Sequence, residues 1–381
     1  TDELELYLDC NATTPLDPQV VEAMLPYWSG HYGNPSSSHR AGRIAKDAIE
    51  RARAQVANLV QTTAKQVLFT GSGTEANHLA IIGMASTFDQ PGTIAVGATE
   101  HASLQGAVVA IQQQGWKVLE LAVDENGLLA AMAIEQIREQ RPELISVMVA
   151  NNETGVIQEL SQLQHTDAKL HVDATQAGGK IPLDFPTLGA DCLTLSAHKM
   201  YGPKGVGALV VTPSLLLKPL LSGGGQERGL RSGTENVPAI VGFGVAAQQA
   251  AAGLELRSQQ QLACRTHLER GLGQINGVAI VAQQAPRLPN TVMCLLSNIE
   301  GETLLMQLDQ QGVALSSGSA CQVGKTTPNR VLTAMGVSAE QARNAIRISL
   351  CRDITIEKID QFLAVLEKTL LPTATAWSAV G

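Results

Sequence analysis

Aromatic residues are scarce in this chain: phenylalanine, tyrosine and tryptophan make up 3% of its 381 residues. A core must therefore be built from leucine, valine, isoleucine and alanine, which is feasible at 44% hydrophobic content. Basic charge is also short, with 27 lysine and arginine against 35 aspartate and glutamate, for a net charge of -8. Such a surface repels phosphate backbones, and no nucleic-acid partner is expected. No run of about 20 apolar residues is present to span a bilayer, so no membrane partner is expected either. The opening TDELELYLDC is acidic and has no apolar signal stretch. The six cysteines, at 10, 192, 264, 294, 321 and 351, form no CxxC pair, and no histidine cluster stands near them with zinc spacing. No metal is expected. Free thiols in a reducing, cytoplasmic setting are the expected state. Repeats and low-complexity tracts are absent.

What is present is an alternation. Short apolar runs (QVLFT, TIAVG, WKVLELAV, LISVMVAN, KLHVDA, DCLTLSA, VGALVVT) are interleaved with helical stretches such as EANHLAIIGMAS. That rhythm predicts βαβ units and a mostly parallel sheet, and strands without polar alternation fit a sheet covered on both faces. A chain of this length exceeds one core, so two domains are expected. From Pro238 the texture changes: residues 238–271 read as one long Ala- and Gln-rich helix, followed by strands and helices of an α+β rhythm.

Several strand ends carry chemistry. GSGTEAN (71–77) follows a strand and opens a helix; free N–H groups there, with Gly73 in the turn and the hydroxyl of Thr74, make a phosphate cradle. Residues 71–76 also fit the GxGxxA dinucleotide variant, a weak signal alone that GFGVAA at 242–247 shares, and packing glycines are the plain alternative. His101, in ATEHAS, stands where parallel sheets put ligands; the alternative is a locally bonded loop histidine. VANNETG (149–155) offers two asparagines, or simply a turn. Asp173 ends KLHVD, and Gln176 lies three residues on; the carboxylate can pair with a protonated heterocyclic nitrogen or cap a helix. Ser196, His198 and Lys199 follow DCLTLSA, and a lysine in a largely apolar crevice can have a lowered pKa and bind an aldehyde, or else be a solvated side chain beside a turn. Together these five strand ends supply what pyridoxal phosphate needs: an amine, a carboxylate for the ring nitrogen, a ring to stack on and donors for phosphate.

Two further features lie beyond the sheet. Cys321 sits in the Ser/Gly-rich loop SSGSACQVGK (316–325), where a thiol can attack and then swing outward. Lys325 would favour its thiolate. GSACQVGKT is no P-loop, because five residues separate Gly318 from Gly324. The other cysteines lie in or beside apolar elements and read as small hydrophobes. In AIRISL, Ile346, Ile348 and Leu350 share one strand face, leaving Arg347 and Ser349 on the other, where a guanidinium can grip a carboxylate or face solvent.

The chain resembles the NifS/IscS-type cysteine desulfurases, class V aminotransferase-like members of the fold type I pyridoxal-phosphate enzymes. The matching stretches run in order from YLDCNATTP (7–15) to AIRISL (345–350) through GNPSSSH, GTEAN, TEHAS, NNETG, VDATQ, SAHK, GGGQERGLRSGTEN and SSGSAC. The resemblance implies a large domain with a mostly parallel seven-stranded sheet, a small α+β C-terminal domain and a homodimer. The division expected is 15–254 for the large domain, with 1–14 and 255–381 forming the small one. Lys199 would be the Schiff-base lysine, Asp173 the partner of the pyridine nitrogen, and His101 the stacking and proton-moving ring. Gln176 would contact the phenolic oxygen, and Asn152 would lie beside cofactor and substrate. Gly73, Thr74, Ser196 and His198 would bind phosphate, joined by Thr234 of the other subunit. Arg347 and Asn34 would hold the substrate carboxylate, and Cys321 would carry a persulfide. The implied reaction converts L-cysteine to L-alanine and passes the sulfur to an acceptor such as an iron–sulfur scaffold. The longer loop form after Cys321 points to cysteine over selenocysteine.

Overall fold

The computed structural model of the chain describes residues 6–164, 166–297, 299–317 and 329–370. Its strands, in chain order, are β1 (Leu6–Tyr7), β2 (Val67–Thr70), β3 (Thr93–Gly97), β4 (Lys117–Leu121), β5 (Leu144–Met148), β6 (Lys169–Asp173), β7 (Cys192–Ser196), β8 (Gly207–Val211), β9 (Val278–Ile280), β10 (Thr291–Leu296), β11 (Val313–Ala314), β12 (Ser316–Ser317) and β13 (Ala345–Ser349).

Each of the seven apolar runs becomes a strand of one seven-stranded sheet, in the order β2-β8-β7-β6-β5-β3-β4. Only β8 runs against its neighbours, pairing antiparallel with both β2 and β7. The C-terminal ends of β2, β3, β5, β6 and β7 therefore emerge on one edge. Every residue of β2, β5, β7 and β8 is buried, as expected for strands covered on both faces. Alternate residues feed two separate cores. Phe69, Ala95, Ile145 and Val210 pack with the helices Arg40–Leu59 and Val237–Ala252. Leu68, Ile94, Leu144 and Leu209 pack with the helices Gly73–Ala85 and Ala102–Gln112.

GFGVAA turns out to be a packing element. It lies inside the helix Val237–Ala252, where a Cβ on Gly244 would come within 2.6 Å of Ala52 Cα, so the missing side chain lets two helices touch. The single helix expected over 238–271 is instead two, Val237–Ala252 and Leu254–Leu272, bent by 73° at Gly253. Arg257 folds back at this break and donates to the carbonyls of Ala250 (2.6 Å) and Gly179 (3.0 Å), the first of them an oxygen that a continuous helix would have used. No single helix among the described residues is long and apolar enough to cross a membrane.

A four-stranded antiparallel sheet, β12-β13-β10-β9, forms the second layer system. Its core joins Val292, Ile346 and Ile348 to Leu268, Leu304 and Phe362. The chain's beginning packs here too: β1 pairs in parallel with β11, and Asp9 bridges to Ser349. That pairing has a consequence for the thiols. Cys10 N donates to Ser349 O, which brings Cys10 beside the exit of β13, and a disulfide joins it to Cys351 across 341 residues with Cα atoms 5.4 Å apart. The expectation of free thiols is thus corrected for this pair, because strand pairing joined two segments that sequence distance kept apart. Cys192, Cys264 and Cys294 are free and buried, and burial pushes the Cys294 thiol up to about 12.

Candidate active site

The cradle at the sheet's C-terminal edge depends on glycine. Gly207 begins β8, flanked by Thr70 on one side and Ser196 on the other. A Cβ on Gly207 would lie 2.5 Å from the carbonyl carbon of Ser72, so only glycine lets the 71–73 turn pass over the sheet. Ser72 then caps the helix Gly73–Ala85, its Oγ accepting from Glu75 N at 3.1 Å. A Cβ on Gly73 would stand 3.3 Å from Ser196 Cβ and 3.4 Å from Thr175 Oγ1. A helix N-terminus and two hydroxyl side chains thus converge on one small space, a donor set that suits a phosphate group. Thr74 lies exposed beside it. Thr234 is exposed on the loop whose Arg231 pairs with Glu75 at 2.8 Å, anchoring that loop to the same helix start.

Asp173 is buried at the end of β6 and caps no helix. Its Oδ1 accepts from Thr175 N (2.9 Å) and its Oδ2 from Asn77 Nδ2 (2.8 Å). Next to it Glu100 is fully buried, and burial followed by the Asp173 charge raises its carboxyl well above the usual range. Glu100 Oε1 accepts from Met148 N at 2.6 Å, while Oε2 has no partner among the described residues. His101 does make the local bonds of the plain alternative: as N-cap of the helix Ala102–Gln112, its Nδ1 accepts from Ser103 N at 3.1 Å. That bond places the proton of the neutral ring on Nε2. The ring's pKa is lowered by desolvation, with Asp173 opposing and Lys199 adding to the shift.

Lys199 ends a short turn after β7, in a half-buried position. Its Nζ donates to the backbone oxygens of Asn11 and Ala12, each at 2.7 Å. Desolvation lowers its pKa to about 8, helped by Arg347 and opposed by Asp9 and Asp173. His198 is lowered to about 4 by burial and three nearby lysines, and its Nδ1 lies 3.2 Å from Thr13 Oγ1. Gln176 Nε2 donates to the same Asn11 oxygen at 3.0 Å. In NNETG the turn-forming role falls to Asn151, whose Oδ1 accepts from the N–H groups of Glu153 and Thr154. The Asn152 backbone oxygen accepts from Arg347 Nη1 (3.2 Å) and Asn11 Nδ2 (3.2 Å).

Arg347 does not face solvent. It is 8% exposed, and its Nη2 donates to Asp9 Oδ1 (2.6 Å) and Ser316 Oγ (3.0 Å). Its Nε finds no partner among the described residues. Asn34 is exposed, its Oδ1 accepting from Ser36 N, and no hydrogen bond joins it to the other candidates among the described residues. Cys321 and Lys325 lie outside the described residues. Glu153 accepts from Asn329 Nδ2, and desolvation pushes it up to about 7 against the pull of Arg347.

Five site residues were not singled out in the sequence: Asp9 and Asn11, both inside YLDCNATTP, with Asn77, Glu100 and Lys180. Asn11 acts through its backbone oxygen, which residue type does not announce. Glu100 and Asn77 sat inside the quoted motifs TEHAS and GTEAN, which was the available clue.

The chain belongs to the aminotransferase class-V family, whose model matches residues 6–362. Within that family it is similar to cysteine desulfurases. It is 41% identical to cysteine desulfurase IscS 1 of Archaeoglobus fulgidus over 364 residues, 94% of this chain and 95% of that one. Among solved structures, a NifS-like protein superposes with a TM-score of 0.89 at 36% identity, covering 96% of this chain and 99% of that one. The structure of SspA in complex with cysteine matches with a TM-score of 0.80 at 32% identity, covering 91% and 98%.

Proposed function

We propose that this chain is a cysteine desulfurase that converts L-cysteine to L-alanine and hands the sulfur, as a persulfide on Cys321, to the assembly of iron–sulfur clusters or other thio-cofactors. The observation that carries the reading is Lys199: an amine brought down to about 8 at the converging strand ends, in a chain 41% identical to a cysteine desulfurase over nearly its whole length.

Pyridoxal phosphate supplies an aldehyde that a lysine can hold and a protonated ring that draws electron density from the substrate's Cα. The residues fit it. The Gly73, Thr175 and Ser196 cradle suits its phosphate, with Thr74 and His198 as further donors and, in the proposed homodimer, Thr234 of the other subunit. Asp173 Oδ2 suits its ring nitrogen, His101 its ring face, Gln176 and Asn152 its edge, and Lys199 Nζ its aldehyde.

Lys199 Nζ, whose pKa desolvation lowers to about 8 in the ligand-free protein, would take the Cα proton. Arg347, oriented by Asp9 and Ser316, holds the substrate carboxylate, with Asn34 assisting. The Cys321 thiolate would attack the substrate sulfur: the carbon–sulfur bond breaks as the sulfur–sulfur bond forms, the bonding pair stays on Cβ and takes the substrate thiol's proton, Lys199 Nζ returns its proton to Cα, and alanine leaves. The same reading takes the protein as a cytoplasmic homodimer, with residues 15–254 as the cofactor-binding domain and 1–14 with 255–381 as the domain bearing Cys321. Alanine measured after incubation with L-cysteine tests the assignment. One alanine per sulfur removed is expected, whereas pyruvate or a keto acid would point to a lyase or an aminotransferase.

A further inference from the structure

Lys180 lies in the run of turns after β6 and is buried, yet no carboxylate pairs with it among the described residues. Its Nζ donates to Gln176 Oε1 at 2.7 Å and to Asn11 Oδ1 at 3.2 Å. Both acceptors are neutral. The charges that face it, Lys199 and Arg347, repel a proton. Burying an amine without a counter-ion is costly, and a methionine would fill the same space without that cost. The amine must be weighed by what it holds.

It holds Gln176. An amide side chain offers an oxygen at one end and two N–H groups at the other. Lys180 occupies the Oε1 end, and the Asn11 backbone oxygen, which can only accept, occupies one N–H of the Nε2 end. The second N–H of Gln176 has no partner among the described residues. Lys199 Nζ donates to that same Asn11 oxygen, so the lysine amine and the Gln176 amide nitrogen share one acceptor. In pyridoxal phosphate the phenolic oxygen sits on the ring carbon next to the aldehyde. A group beside Lys199 is thus the one that meets this oxygen.

We infer that Lys180 is a positioning residue: it locks the Gln176 amide with its nitrogen toward the cofactor, so that the ring oxygen meets a donor and not an acceptor. The inference rests on the proposed role of Gln176. A donor to the ring oxygen favours the form that has lost its proton, and so lowers the pH at which the cofactor's visible band titrates. Asn11 is held from its other side, with Nδ2 donating to Thr291 Oγ1 (2.9 Å) and Oδ1 accepting from Asn290 Nδ2 (3.0 Å), and stays in place when Lys180 is removed.

The test is a pH titration of the visible absorbance of the purified holoprotein for wild type, Lys180→Met, Gln176→Ala and the double variant. Loss of one charge-assisted hydrogen bond is expected to move the midpoint upward by about one pH unit in Gln176→Ala, and by a smaller amount in Lys180→Met, where the Asn11 oxygen still holds the nitrogen end. The double variant should move no further than Gln176→Ala alone. An unmoved Lys180→Met beside a shifted Gln176→Ala overturns the inference, as does a Lys180→Met shift that persists in the Gln176→Ala background. An unmoved Gln176→Ala removes the role of Gln176 itself, and the inference with it. Should Lys180→Met fail to fold, Lys180→Arg takes its place. Its guanidinium still donates to Gln176 Oε1, so it should keep the wild-type midpoint, and a midpoint moved as far as that of Gln176→Ala contradicts the inference.

Discussion

Lys199 Nζ lies 2.7 Å from the backbone oxygen of Asn11, a residue 188 positions earlier in the chain. The amine is thus aimed by the N-terminal segment, not by its own strand. Asp9, two residues before Asn11, holds Arg347 at 2.6 Å. One short segment therefore sets both the group proposed for the cofactor and the group proposed for the substrate.

In the cofactor-free protein the Lys199 amine should be neutral above about pH 8 and charged below it, since desolvation lowers it from 10.5. Only the neutral amine adds to an aldehyde. The rate at which apoprotein captures pyridoxal phosphate is expected to climb with pH and level off just above 8, and Lys199→Ala should show no visible band after dialysis. Capture that keeps climbing past about pH 10, the ordinary lysine range, would show that the amine is not desolvated.

Glu100 gives a stability signature. Its carboxyl ionises near 4.5 when unfolded and is raised well above that in the fold, first by burial and then by Asp173. The neutral acid's contribution is whole below 4.5 and is lost as pH rises toward the folded value. Glu100→Gln keeps the shape and cannot ionise. It should melt at a higher temperature than wild type at about pH 8, with the gap closing toward about pH 5. A wild type that melts higher at the alkaline end would mean that Glu100 is ionised in the fold.

The Cys10–Cys351 disulfide closes a loop of 341 residues. Removing a native disulfide typically costs about 2–5 kcal/mol. Cys10→Ser with Cys351→Ser is expected to melt several degrees lower than the oxidised protein, and reductant should lower the wild-type midpoint but not the variant's. Equal midpoints under all conditions would argue that the bridge adds nothing.

How far the sequence carried depends on which physical signal a residue leaves. β2, β3 and β5 to β8 were legible because an apolar run without polar alternation suits a sheet covered on both sides, and the glycine of GSGTEAN marked the turn over it; β4, an exposed edge strand, was legible from its place in the strand–helix alternation. Lys199 and Asp173 were legible because Asp173 ends an apolar strand and Lys199 follows one by three residues. The kink at Gly253 was not, since Ala- and Gln-rich sequence on both sides favours helix and the break is stabilised by Arg257 from a distance. The bridge between Cys10 and Cys351 depends on β-pairing of remote segments, which no local pattern records. Lys180 was hidden for a related reason: a lysine beside Gly178, Gly179 and Pro182 looks like a solvated turn residue, and only the fold closes over it. Arg347 was half legible, its strand face clear and its partner Asp9 not.

Sulfur transfer onto one thiol is the central claim, and peptide mapping by mass after a brief incubation with L-cysteine tests it most directly. One added sulfur on the peptide containing Cys321 is expected, matched by one alanine released and abolished by Cys321→Ala in a protein that keeps its yellow cofactor. Full alanine production by that variant, or the adduct settling on Cys192, Cys264 or Cys294 instead, would contradict the account.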